Sequence, residues 1–344
     1  MKFVIDRSIP FVEGLFEPYA EVIYRDGGAI AHNDILDADA LLIRTSTKCN
    51  AALLDGTSVK MIASASVGTD HIDLSYCQHN GINVSSAAGC NAGAVANYAF
   101  SALYGCAARK SISLTGKTIG IVGAGSTGKR VESMARLLGF KVLVYDPPRA
   151  DAEGWKEFCS KEELLSDSDI ISLHTPLNDR TRRMCNDDFF AAMKYGAFFI
   201  NTARGELVDD EALKRAVPKL GPVILDVWNG EPDINKKLID LADIATPHIS
   251  GYSLQAKLTS AIMVVRTVSR YFGITDLYEF IPTGDIETMS AVHVDVNGMT
   301  QGQIASIFQY NYPIFTDDFM LRMAPETFSR LRLDYRYRRE FFID

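Results

Sequence analysis

The sequence predicts an α/β protein: two doubly wound domains on parallel sheets with a cleft between them, then a small α+β module at the C-terminal end. Three observations predict it. Short apolar runs alternate with helical patterns along most of the 344 residues, the mark of parallel strands covered on both faces. The length suits two or three domains at roughly 150 residues each. The alternation stops before the end, where the chain becomes aromatic and basic.

The elements follow in order. Strands are expected at 2–5, 41–44, 61–65 and 82–84, with helices near 12–19, 51–55 and 72–79. Residues 92–108 are rich in Ala and Gly and carry Asn97, Tyr98 and Tyr104. They read as one long packed helix, too short and too polar for a membrane span. A second series of strands is expected at 118–122, 141–145, 170–173, 197–201 and 223–226. A helix over 254–272 ends at Gly273, a residue suited to a helix C-terminus. Residues 275–289 read as irregular, 291–296 alternate as a strand would, and 328–342 mix Arg, Tyr and Phe. The predicted boundaries are 1–93 with 254–273, then 94–253, then 274–344. The last segment is expected to be an oligomerisation element; an arm packed on its own subunit is the other reading.

Charge narrows the function classes. With 35 Lys and Arg against 43 Asp and Glu, the formal net charge is −8. Such a chain is a poor general binder of nucleic acid or anionic membrane, although a small anion needs only a few local cations. The six cysteines form no CxxC pair. That argues against a zinc site or a disulfide scaffold and for reduced thiols in the cytoplasm. The N-terminus meets Asp6 too early for a signal peptide.

One motif carries cofactor chemistry. The strand 118–122 runs into Gly123-Ala124-Gly125-Ser126-Thr127-Gly128, and a helical pattern follows. Gly123 permits a tight turn, Gly125 lets backbone approach a pyrophosphate, and Gly128 lets the helix pack close to the sheet. The helix N-terminus then offers free N–H groups to the phosphates at Ser126 and Thr127. The next strand ends in Asp146, where a ribose-binding acid belongs. A carboxylate there repels a 2′-phosphate, so NAD is expected over NADP, with nearby Arg149 as the one contrary sign.

Three charged residues stand near the ends of expected strands: Arg204, Glu231 and His248. In open α/β sheets, ligands bind at strand C-termini. Oxidising a 2-hydroxy acid needs a group to take the hydroxyl proton, which suits histidine. A carboxylate beside it orients the ring, and an arginine grips a substrate carboxylate in a two-pronged contact. From the residues alone, a lone strand-end histidine is more often structural than catalytic, and an ordinary surface ion pair is open for Arg204.

Together these blocks resemble the D-isomer-specific 2-hydroxyacid dehydrogenases. The resemblance covers nearly the whole chain: Val67-Gly68-Thr69-Asp70-His71-Ile72-Asp73, the glycine loop, His174-Thr175-Pro176-Leu177, and the blocks around Arg204, Glu231 and His248. It implies an NAD-binding Rossmann domain over 94–253 and a substrate-binding domain over 1–93 with 254–273. Arg204 and Glu231 match catalytic positions, and His248 matches the proton donor or acceptor. Asp146, Thr175, Thr202, Ala203, Arg204, Asp226 and Gly251 match NAD contacts. Thr45, Ser66 and Tyr252 match substrate contacts. Gly89-Cys90-Asn91-Ala92, the 146–151 block and the tail around Phe328-Ser329-Arg330 are similar to one member that acts on a phosphorylated 2-hydroxy acid. In that member the extra module makes a homodimer. Arg44, Lys48 and Lys257 are candidate phosphate contacts, or else solvated surface charges. A dehydrogenase for another phosphorylated acid, such as 3-phosphoglycerate, is one alternative. A non-catalytic NAD-sensing protein on the same fold is another. His71 reads as a structural hydrogen-bonder, His174 as lining the site and Cys90 as packing. The run 335–339 reads as an interface or a contribution to a partner's site.

Overall fold

Alternation along each strand decides which way its side chains face. The computed structural model describes residues 1–282 and 290–344. They divide into two compact units, 1–91 with 254–290 and 92–253 with 291–344.

In the first unit five parallel strands, β1 (Lys2–Asp6), β2 (Glu21–Arg25), β3 (Ala40–Ile43), β4 (Met61–Ser64) and β5 (Asn83–Ser86), lie in the order β2-β1-β3-β4-β5. Phe3, Ile5, Leu42 and Met61 face the helix Leu254–Phe272 through Val264, Val265 and Val268. Val4, Leu41, Ile43 and Ile62 face the other way, onto Ile35, Leu54 and Cys77. Both faces are therefore covered, as a parallel sheet requires.

In the second unit β6 (Thr118–Val122), β7 (Lys141–Tyr145), β8 (Ile170–Leu173), β9 (Phe198–Asn201), β10 (Val223–Leu225) and β11 (Ile244–Ala245) form a parallel sheet in the order β11-β10-β9-β8-β6-β7. The strand order reverses between β6 and β8, the point where doubly wound sheets take ligands. The helix Ala92–Arg109 is buried nearly all round. Its second cover comes from the C-terminal residues, where Phe308 stacks on Tyr104 at 5.2 Å. Ser101 Oγ donates to the Tyr312 carbonyl at 2.6 Å, and Asn97 exchanges two hydrogen bonds with the Phe341 backbone. β12 (Val292–Val294) and β13 (Phe341–Ile343) pair in parallel beside two helices, Gln301–Asn311 and Ile314–Met323.

One expectation needs correction, and two strands were missed. The helix expected over 12–19 is a run of turns: Gly14 sits at φ +81°, Phe11 at φ +62°, and Pro18 cannot continue a helix. The strand β2 was not expected, because it is an edge strand of half-exposed side chains bounded by Glu21 and Arg25. The two-residue β11 is too short to leave a pattern. Of the irregular stretch expected over 275–289, residues 283–289 lie outside the described residues; Thr275–Leu277 is a single 3-10 turn.

Candidate active site

The glycine loop leaves β6 at the switch point. Gly123 holds φ +91°, and a Cβ there would lie 2.8 Å from the backbone of His174 and Thr175 at the end of β8. Gly125 caps the helix Ser126–Leu137 and has open space where a side chain would stand. A Cβ on Gly128 would come within 2.0 Å of the Gly123 carbonyl. So the first glycine makes the turn, the second leaves an approach, and the third lets the helix close on the loop. Lys129 donates to the Gly125 carbonyl, so Ser126, Thr127 and Gly128 lie before the first full turn, where N–H groups lack intrahelical acceptors.

Asp146 ties this loop to β7. Its Oδ2 accepts from Ala124 N at 2.7 Å and its Oδ1 from Arg149 N at 3.1 Å. Arg149 turns its guanidinium to Glu153 and to the Ala124 carbonyl, so its charge is already matched beside the loop. Two buried polar atoms, His174 Nδ1 and Thr202 Oγ1, have no hydrogen-bond partner among the described residues. They stand just beyond β8 and β9, as does half-buried Thr175. Orphaned buried polar atoms beside an open glycine loop fit a polar cofactor. Burial holds the His174 imidazole down to about 3, so it is neutral, with Nε2 2.9 Å from Ser172 Oγ.

The three charged residues rest on the same sheet edge. Arg204 follows β9, with Nη1 donating to the Ala203 carbonyl at 2.7 Å. Asn201 braces that turn, bonding Ala203 N and the Arg204 carbonyl. Asp226 follows β10 and is fully buried. Its carboxylate accepts from Thr246 Oγ1 (2.6 Å), Ile249 N (2.8 Å) and Ser250 N (2.8 Å), and its carbonyl accepts from His248 N (2.7 Å). Those bonds fix the loop that carries His248 and Gly251. His248 itself sits at φ +56°, a region that few non-glycine residues adopt.

Glu231 completes the arrangement. Its Oε2 lies 2.7 Å from His248 Nδ1, and its Oε1 accepts from Trp228 N at 3.0 Å. Burial alone would raise the Glu231 carboxyl. The bond to His248, the Trp228 N–H and the charge of Arg332 outweigh it, and the group ends below its usual value. A carboxylate on Nδ1 orients the ring and leaves Nε2 for proton transfer, so the pair can work as an oriented general base.

Tyr252 follows, stacked on Tyr337 with ring centres 5.6 Å apart and edge-on to Tyr335 at 5.9 Å. Tyr335 and Tyr337, in the run read as an interface or a contribution to a partner's site, surround Tyr252 of the same chain together with Arg332. Sequence reasoning missed them as neighbours of this site because nothing local links them to it. Thr45 and Ser66 belong to the first unit. Thr45 is exposed in the turn after β3, and Ser66 Oγ donates to the Gly68 carbonyl at 3.2 Å. His71 bonds Ser64 Oγ at 3.2 Å.

Known proteins share this framework. Residues 101–250 match the NAD-binding domain of the D-isomer specific 2-hydroxyacid dehydrogenases. An erythronate-4-phosphate dehydrogenase from Yersinia pestis (strain Pestoides F) is 38% identical over 351 aligned positions, spanning 99% of this chain and 93% of that one. The chain belongs to the D-isomer specific 2-hydroxyacid dehydrogenase family. Among solved structures of similar fold is a 3-phosphoglycerate dehydrogenase from Entamoeba histolytica with NAD+ bound. It has a TM-score of 0.67 and 26% identity, over 82% of this chain and 99% of that one. A D-lactate dehydrogenase from Aquifex aeolicus, in complex with NAD and lactic acid, has a TM-score of 0.67 and 28% identity, over 83% of this chain and 100% of that one. This 2-hydroxyacid dehydrogenase therefore carries an NAD-binding domain at 101–250. Among its described residues no helix is long and apolar enough to cross a membrane.

Proposed function

We propose that the protein oxidises 4-phospho-D-erythronate at C2 to 2-oxo-3-hydroxy-4-phosphobutanoate, a cytoplasmic step toward pyridoxal 5′-phosphate. The 2.7 Å contact between Glu231 and His248 carries the chemistry. The 38% identity along 99% of the chain carries the substrate. Bound NAD supplies the hydride acceptor at the nicotinamide C4. His248 takes the C2 hydroxyl proton on Nε2, and Glu231 steadies the charge that forms on the ring. Arg204 holds the substrate carboxylate and polarises the C2–O bond.

Gly123, Gly125, Ser126, Thr127 and Gly128 cradle the pyrophosphate. Asp146 meets the adenosine ribose, and Thr175, Thr202, Ala203, Arg204 and Gly251 contact the rest of the cofactor. Asp226 serves the same site from beneath, through the loop it holds. Thr45, Ser66 and Tyr252 contact the substrate. Arg44, Lys48 and Lys257 are the phosphate candidates, and Lys257 is lowered by its burial and by the like charge of Arg44. Two cations that disfavour one another are stabilised by an anion between them. The chain acts as a homodimer through its C-terminal module. Tyr310, Phe319, Met323 and Leu333, all exposed there, support that assembly.

The test is NADH formation with 4-phospho-D-erythronate, D-3-phosphoglycerate run beside it and a 2-oxo acid offered as acceptor. Turnover on the erythronate ester is expected. Turnover on phosphoglycerate alone would assign the sister reaction. NAD binding with neither turnover would favour a binding protein.

A further inference from the structure

The Glu231–His248 pair has a third charged neighbour. Arg332 lies on the short helix Phe328–Leu333 and sets Nη1 3.8 Å from Glu231 Oε2, the oxygen that faces His248 Nδ1. Its guanidinium carbon is 5.9 Å from the rings of both Tyr252 and Phe328. Phe328 is 1% exposed and anchors the helix. Arg332 Nε is buried with no hydrogen-bond partner among the described residues. A buried donor left unpaired is costly, so Nε is not what keeps an arginine here.

We propose that Arg332 is a positioning residue for the proton transfer, supplied by the C-terminal segment. Its charge adds to the bonds from His248 and Trp228 that keep Glu231 ionised, and it shares Oε2 with His248. Sharing that oxygen weakens the carboxylate's hold on a protonated imidazole, and so favours the form that accepts the substrate's proton. This rests on the reading of His248 as the proton acceptor. The other titratable and charged groups of the candidate site come from four further places. Arg204 follows β9, and Asp226 follows β10 with its carboxylate taken by Thr246, Ile249 and Ser250. Tyr252 follows His248, and Tyr335 and Tyr337 lie beyond Tyr252 in the tail. Removing Arg332 leaves Oε2 of Glu231 to His248 alone. That change lets the ring keep its proton to higher pH.

The experiment compares wild type, R332Q and R332K. It measures kcat/KM for the oxidation against pH, NAD affinity, the melting temperature, and the proton-NMR titration of the His248 ring. In R332Q the acid limb and the ring titration are expected to move up by about half a pH unit. The rate on the acid side then falls about threefold, with NAD affinity and melting temperature close to wild type. R332K restores most of the profile, because it keeps the charge. An unmoved limb and ring titration in R332Q overturn the proposal, and so does an R332K that behaves as R332Q does. If wild type turns over no 2-hydroxy acid, the functional reading fails, while the ring titration still decides whether Arg332 acts on the pair.

Discussion

His248 is held at φ +56° by the Asp226 carbonyl and by a carboxylate that fixes the next two N–H groups. Strain maintained this way at a site is part of how a side chain is aimed. Replacing His248 with Asn should lower turnover by roughly 10²–10⁴-fold, the range for losing a general base, while NAD affinity measured by fluorescence stays near wild type. Unchanged turnover would remove His248 from the role. His174 offers a test by stability. Its folded value of about 3 lies below the usual 6.5. Below pH about 6.5 the unfolded chain therefore binds a proton that the folded one refuses, and stability is lost as pH falls toward 3. His174→Gln should flatten the fall in melting temperature between those limits. A slope equal to wild type would mean that the imidazole is not buried neutral.

At the scale of elements, the glycine loop was legible because three backbone demands act on neighbouring residues. The strands of both sheet interiors were legible because both faces of each bury apolar side chains. Turns with positive φ hid the true path of 12–19, and an edge strand with one polar residue at each end hid β2. The loop that carries His248 could be placed in the sequence, but the partners of Asp226 could not, since they arise only when β10 and the 246–250 loop come together. Gly128→Ala tests the loop directly. A methyl group 2.0 Å from the Gly123 carbonyl forces the helix away from the strand. NAD affinity measured by calorimetry should fall by about tenfold or more; unchanged affinity would show that the close approach is not needed.

At the scale of the whole molecule, the C-terminal residues do two jobs that their composition did not separate. They cover the helix Ala92–Arg109 with Phe308 and Phe341, which are 0% and 1% exposed, and they bring Arg332 to Glu231. Glu340 adds a third tie: its Oε1 accepts from Ser253 Oγ at 2.6 Å, while Oε2 fills the space beside Gly93. Gly93→Val should drive that carboxylate out and lower the melting temperature by several degrees, the scale of about 1–2 kcal/mol in a protein of this size. A melting temperature equal to wild type would show that Glu340 gives way freely. Apolar side chains exposed on the same segment make sedimentation concentration-dependent if the chain dimerises there, and Phe319→Asp with Met323→Asp should return it to a monomer.

In the proposed reaction, hydride leaves C2 of a phosphorylated 2-hydroxy acid while His248 takes the hydroxyl proton. The most direct measurement supplies 4-phospho-D-erythronate deuterated at C2, with NAD, and weighs the reduced cofactor by mass spectrometry. NADH one mass unit heavier is expected from wild type, and almost none from H248N. Reduced cofactor without the deuterium, or none from wild type, would contradict it.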